Sequence, residues 1–184
     1  ERPLMPMVTG VITSPPDAPS ISRCVLDAGP VAGGQSITIE GSDLEGCTVD
    51  IGGAAATSVV IAGNGKSLTC LTPARTAGAK TVTVTNAKGS DALASGFTYT
   101  AVPTISSLTA NTSASPGGGD ACTIAGTNFQ AGCHVVWDGV VIGTKRNSAI
   151  ELVVIVPNHA AGAVNVKVVC PDAQESANAT YTYT

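Results

Sequence analysis

Apolar and polar side chains alternate over short stretches along most of the chain. Ser36-Ile37-Thr38-Ile39-Glu40 puts Ile37 and Ile39 on one face, because successive strand side chains point to opposite sides. Thr48-Val49-Asp50-Ile51 does the same and stops at Gly52-Gly53, a tight hairpin signal. Further strands are predicted over Thr57 to Ile61, Leu68 to Leu71 (stopped by Pro73), Thr81 to Thr85, and Phe97 to Thr100. Gly29-Pro30 reads as a loop, and Gly63-Asn64-Gly65, Gly78 and Asn86-Ala87-Lys88-Gly89 read as turns. No stretch carries helical periodicity.

The same order then returns. Gly118-Gly119-Asp120-Ala121-Cys122-Thr123-Ile124-Ala125-Gly126 follows Gly33-Gly34-Gln35-Ser36-Ile37-Thr38-Ile39-Glu40-Gly41 at a distance of about 85 residues. Pro103-Thr104-Ile105-Ser106 matches Pro19-Ser20-Ile21-Ser22, and Val135-Val136-Trp137-Asp138-Gly139 matches Val49 to Gly53. Leu152 to Pro157 matches Leu68 to Pro73, Val164 to Val168 matches the Val82 strand, and Tyr181 to Thr184 matches Phe97 to Thr100. A repeat of this period, built of short strands with turn signals every 8–12 residues, predicts two tandem all-β sandwiches. They are expected over 19–100 and 101–184, behind an extended proline-rich leader over 1–18. The predicted core is Ile37, Ile39, Val49, Ile51, Leu68, Val82 and Val84 in the first, with Ile124, Val135, Trp137, Leu152, Val166 and Val168 in the second. Only Thr100-Ala101-Val102 separates the two, which leaves little room for independent swing.

Pro3, Pro6, Pro15, Pro16 and Pro19 keep the leader extended. Within it, Met7-Val8-Thr9-Gly10-Val11-Ile12-Thr13 has strand character, and Met7, Val8, Val11 and Ile12 are the candidate partner contacts, able to add to an exposed sheet edge. The chain begins at Glu1 without a signal-peptide pattern, which reads as a processed product or a fragment.

Positive hydropathy with only 12% charged residues excludes a disordered tail. A net charge of −4 lacks the basic stripe that nucleic acid requires. No apolar run approaches the roughly 20 residues of a membrane helix. No catalytic constellation is legible. Cys133 and His134 are adjacent on a strand, point to opposite faces and cannot act as a nucleophilic pair. Gly117-Gly118-Gly119 precedes a strand, whereas a phosphate loop precedes a helix. The aspartates are scattered, so no calcium site, other metal site or cofactor is expected, and no small-molecule substrate is evident.

Cys24, Cys47 and Cys70 fall in the first repeat, and Cys122, Cys133 and Cys170 in the second. Three per repeat leaves a free thiol in each, or a bridge between repeats or to a partner chain. Asn111-Thr112-Ser113 and Asn178-Ala179-Thr180 have the form of glycosylation acceptors, which matters only in a eukaryotic secreted protein.

Pro-x-Ile-x-Ser, Gly-Gly-x-x-x-x-Ile-x-Gly, Val-x-Ile-Gly-Gly, Leu-x-x-x-x-Pro, Val-x-Val-x-Asn and a closing Phe-Thr-Tyr together resemble the IPT/TIG domain. That is the immunoglobulin-like fold of plexins, some transcription factors and many microbial surface proteins. The second repeat departs from the pattern at Asp138 and at Cys170-Pro171. In the arrangement the resemblance implies, the Trp137 strand and the Val164–Val169 strand are antiparallel neighbours, so Cys133 and Cys170 form the best disulfide pair. Cys47 faces Asn86 in the first repeat, so it stays free or takes Cys70 or, behind it, Cys24 as a weak partner, and Cys122 is expected as a buried free thiol.

The function these features imply is a non-enzymatic structural or adhesive segment of an extracellular or cell-surface protein. It would act as a stiff spacer and protein-interaction module, contacting protein partners or copies of itself through leader and sheet edges. The alternatives are a decoration or appendage protein on a virus particle and an accessory module of a carbohydrate-active enzyme.

Overall fold

The computed structural model describes residues 17–109, 112–113 and 117–184. The candidate contacts Met7, Val8, Val11 and Ile12, and the acceptor Asn111, lie outside the described residues. The described residues are strand and connection, with no helix among them.

The first repeat holds β1 (Ser20–Val25), β2 (Ala28–Pro30), β3 (Ser36–Ser42), β4 (Thr48–Ile51), β5 (Thr57–Ile61), β6 (Ser67–Leu71), β7 (Gly78–Asn86) and β8 (Gly89–Thr100). They form two four-stranded sheets, β1-β3-β6-β5 and β2-β8-β7-β4. The second repeat holds β9 (Thr104–Leu108), β10 (Thr112–Ser113), β11 (Ala121–Thr127), β12 (His134–Trp137), β13 (Val140–Ile142), β14 (Thr144–Ser148), β15 (Glu151–Ile155), β16 (Gly162–Val169) and β17 (Ala179–Tyr183). Its sheets are β14-β15-β11-β9 and β10-β17-β16-β12-β13. Each repeat is thus a sandwich of two sheets that bury their facing sides, the immunoglobulin-like arrangement.

All thirteen predicted core residues are buried. Leu44, Phe97 and Tyr99 join the first core, and Phe129, Val154, Tyr181 and Tyr183 are among those that join the second. Cys122 is buried and free. The glycine of the Ile-x-Gly motif has a steric cause. At Gly41 a Cβ would collide with the Ser20 carbonyl, and at Gly126 with that of Thr104, where the first strand of each sandwich bulges onto its neighbour.

Two readings of the sequence need correction. Ala28–Pro30 is not a plain loop. It is a short strand running parallel to the end of β8, with Gly29 opposite Tyr99. The closing strand of the first sandwich also begins at Gly89, not at Phe97, because β8 pairs with β7 both before and after an irregularity between Lys80 and Val82. That irregularity breaks the alternation by which strands are recognised.

Candidate functional site: the domain junction and the sheet edges

Three residues, Ala101 to Pro103, lie between β8 and β9. Side chains bridge this short link. Thr100 Oγ1, at the end of β8, lies 2.8 Å from Gly29 O and 2.5 Å from Asp172 Oδ2; its one proton serves either. Gln174 Nε2 donates to the Thr100 carbonyl at 2.9 Å and to Asp172 Oδ2 at 2.7 Å, and Gln130 Nε2 donates to the same oxygen at 2.9 Å. Asn128 Nδ2 donates to Val102 O at 2.9 Å. Burial pushes the Asp172 carboxyl up, but the donors from Gln130, Thr100 and Gln174 outweigh it and hold the group below its ordinary value. Asp172 and Gln174 sit on the turn after β16, where the second repeat departs from the family pattern. A cleft of about 250 Å³ lined by Leu26, Gly29, Thr100, Gln130, Pro171 and Asp172 opens beside the network.

Cys133 and Cys170 are joined by a disulfide at this end of the second sandwich. The β12–β16 register pairs His134 with Val169, so the two cysteines stand opposite each other one residue beyond the ladder. Cys47 stays free, so of the readings left open for it the weak pairings with Cys70 and Cys24 are the ones the structure corrects. Cys47 leads into β4 in one sheet, while Cys70 on β6 and Cys24 on β1 belong to the other. Cys24 and Cys70 do not pair with each other either. They flank β3 opposite Ile39 and Ile37, and two strand spacings, about 9.6 Å, exceed the roughly 7 Å Cα reach of a disulfide. Burial pushes both thiols up to about 11, with Asp27 adding to the shift of Cys24 and Cys24 to that of Cys70. Such thiols are poor nucleophiles at neutral pH.

His134 is half-buried on β12 beside the bonded Cys133. His159 stacks on Tyr183 and approaches Asp138 Oδ2 at 3.3 Å. Gly117–Gly119 leads into β11. No three His, Cys, Asp or Glu side chains gather as a metal site among the described residues. Among the described residues no helix is long and apolar enough to cross a membrane. An open cleft of about 610 Å³ lies at the junction end of the first sandwich, between Val31, Ala32, Ala74, Arg75 and Lys80. Arg75 is committed there to the Ile51 and Gly52 carbonyls. All six aromatic side chains of the chain, Trp137, Tyr99, Tyr181, Tyr183, Phe97 and Phe129, are buried. Asn178 is exposed immediately ahead of β17, and Thr180 of the same triplet is exposed too.

The outer strands differ in how they meet solvent. β1, β5, β9 and β14 each carry an extra residue opposite a regular neighbour. β2 ends in Pro30, and β4 carries Asp50. β13 has none of these features, and Val140 and Val141 are 63% and 61% exposed.

Fold and site together define a tandem immunoglobulin-like module whose ordered features are a bridged junction and free strand edges, with no assembled reaction centre among the described residues. The sequence profile of the IPT/TIG domain matches it twice, over residues 19–101 and 103–183, and the chain belongs to that family. Among solved structures it is similar to the plexin A4 extracellular region. One such structure matches with a TM-score of 0.52 at 19% identity, over 90% of this chain and 15% of that one; another matches at 0.50 and 20%, over 90% and 18%. It is also similar to a surface glycan-binding protein, SGBP-B, from a xyloglucan utilisation locus in Bacteroides uniformis, at 0.41 and 15% identity, over 90% of this chain and 49% of that one. The chain thus spans under a fifth of the plexin region and about half of the glycan-binding protein. Comparison with curated proteins gives no match.

Proposed function

We propose that the chain is a non-enzymatic structural and adhesive segment of an extracellular or cell-surface protein. The two sandwiches act as a stiff spacer, and contacts with protein partners or further copies run through the leader and the sheet edges. The observation that carries this is the junction: a three-residue link crossed by hydrogen bonds between Thr100, at the end of the first sandwich, and Asp172 and Gln174 of the second, with Gln130 and Gln174 holding the same Asp172 carboxylate. A hinge meant to swing would not tie both sides to one carboxylate. The Cys133–Cys170 disulfide supports an oxidising compartment. The buried aromatics speak against the carbohydrate-module reading, since a sugar ring needs an exposed aromatic face to stack on. In a eukaryotic secretory pathway, Asn178 would be an accessible acceptor for glycosylation.

Small-angle scattering and residual dipolar couplings test the spacer. The intact chain should give a single inter-domain orientation, and a double Asp172→Ala, Gln174→Ala variant should give a broader distribution with both sandwiches still folded. Equal breadth in the two proteins sinks the reading.

A further inference from the structure

Among the described outer strands longer than two residues, β13, three residues long, is the one with no bulge, charge or proline. Unpaired backbone groups at a sheet edge template pairing with another chain, and proteins commonly block this with bulges, charges or proline. The bulges of β1, β5, β9 and β14, Pro30 on β2 and Asp50 on β4 are such blocks. The segment Ala54 to Ala56 also lies along β4, where Ala56 N donates to Val49 O at 2.9 Å. β10 is only two residues long. β13 keeps a regular register, with Val135, Val136 and Trp137 opposite Ile142, Val141 and Val140.

Its backbone direction follows from the turn. Asp138 and Gly139 take φ of 46° and 81°, the left-handed values of a two-residue hairpin, which makes Trp137 and Val140 the bonded pair beside the turn. Bonded pairs recur every second residue, so Val135 and Ile142 also face each other. The Thr144 hydroxyl bridges them, accepting from Val135 N at 2.9 Å and donating to Ile142 O at 3.0 Å. Val141 N–H and C=O therefore point away from the sheet, on a strand whose Val140 and Val141 side chains are both exposed. In the first sandwich the matching segment, Ala54 to Ala56, offers only methyl groups.

We propose that β13 receives Met7–Thr13 of a second copy of this chain as an added strand. This rests on the reading that the chain acts through its leader and sheet edges. The segment is uncharged and rich in β-branched residues, so covering Val140 and Val141 with it desolvates no charge. Pro6 and Pro15 bracket the run. The donor must be another copy. Asp17 is held at the far end of the first sandwich, where Asn86 Nδ2 donates to Asp17 O at 3.0 Å. From Asp17 a fully extended chain reaches about 14 Å to Thr13 and about 35 Å to Met7. β8 alone runs its 12 residues, about 40 Å at ~3.3 Å each, from beside Asn86 to the junction, and β13 lies beyond it in the second sandwich. A leader on one copy and its acceptor on the next make a heterologous contact, which propagates head to tail.

Sedimentation velocity over a concentration series tests this on the intact chain, on a chain lacking residues 1–16, and on Val141→Pro and Val141→Lys. The intact chain should form a ladder of oligomers, and all three variants should weaken it by at least about tenfold through loss of strand addition. A peptide of residues 6–14 should shift the amide resonances of Val140 to Ile142 in the truncated chain and not in the truncated Val141→Pro chain. Val141→Lys guards against misfolding of the proline variant, since it leaves the backbone donor in place. If truncation abolishes association while both Val141 variants keep it, the leader still binds but β13 is not its acceptor, and this proposal alone fails. If the Val141 variants abolish association while truncation does not, β13 pairs with β13 and the leader is wrong in both readings. A monomeric intact chain with no peptide shift overturns the proposal outright.

Discussion

Asn86 and Cys170 hold the same place in the two sandwiches, opposite Cys47 in the first and Cys133 in the second. In the second sandwich a covalent bond closes the end of the strand pair. In the first, Asn86 closes it with its whole side chain. Its Nδ2 donates to Asp17 O and Asp43 O at 3.0 and 3.2 Å, and its Oδ1 accepts from Lys88 N and Gly89 N at 2.8 and 3.2 Å. One position therefore ties either strand to strand or turn to entering chain. The opposite ends differ in the same way. Arg75 caps the Gly52 turn through main-chain carbonyls, whereas His159 meets the Asp138 carboxylate that stands where Gly52 stood. Asp138 adopts a φ of 46° at that site, near the 61° of Gly52, so the turn survives the exchange. The fold is thus indifferent to the chemistry of its ties and demanding about where they fall.

The core contrast is the largest to break. Ile51 and Trp137 are equivalent, but Trp137 Nε1 also donates to Tyr183 OH at 3.0 Å, which in turn donates to Pro157 O at 2.8 Å. Tyr99 makes the matching bond to Pro73 O without a tryptophan behind it. Trp137→Ala should destabilise the second sandwich by about 3–5 kcal/mol and leave the first near its original transition, as read by calorimetry. Trp137→Phe should recover part of this loss, because it keeps an aromatic ring in the core but gives up the volume of the second ring and the indole hydrogen bond.

Removing the disulfide comes next. Cys133→Ala with Cys170→Ala should cost the second sandwich about 2–4 kcal/mol and the first almost nothing. Mass spectrometry after alkylation of unfolded, non-reduced protein should find four modified cysteines, Cys24, Cys47, Cys70 and Cys122. Six modified cysteines would remove the bridge and the contrast built on it. Asn86→Ala is the counterpart in the first sandwich. It strips four hydrogen bonds from a partly exposed turn and should cost about 1–2 kcal/mol, less than the disulfide. A larger cost would mean that Asn86, not the core, orders the entry of the chain.

The cores were legible because alternation is local. Ile37 and Ile39, or Val166 and Val168, announce their face within a few residues. β2 was not, since Ala28-Gly29-Pro30 becomes a strand only when the end of β8, some 70 residues away, lies beside it. The junction was hidden for the same reason. Asp172 is 42 residues from Gln130 and 72 from Thr100. Yet a trace of it was present. Cys170-Pro171 and Asp138, the two places where the second repeat leaves the family pattern, are where the disulfide and the Asp172 turn begin and where His159 finds its carboxylate. Departures between repeats marked the places where the sandwiches do different work.

The smallest effect expected is the pH response of the junction. Asp172 is held below the ordinary carboxylate value by donors from both sides of the link, against the opposing push of burial. A depressed folded value means that the contribution is complete above the unfolded carboxylate pKa of about 3.9 and is lost as pH falls through the folded value. Acidification below pH ~4 should therefore broaden the inter-domain orientation before either core melts, with a minor change in total stability because the carboxylate is only half-buried. Asp172→Asn separates charge from shape. It keeps an acceptor oxygen for one of Gln130, Gln174 or Thr100 but cannot titrate, so its junction should be looser at pH 7 and unchanged on acidification. Scattering profiles of the two proteins from pH 7 to pH 3 decide the matter. An Asn variant that broadens in step with the intact chain would locate the acid response elsewhere and leave Asp172 as a tie of geometry alone.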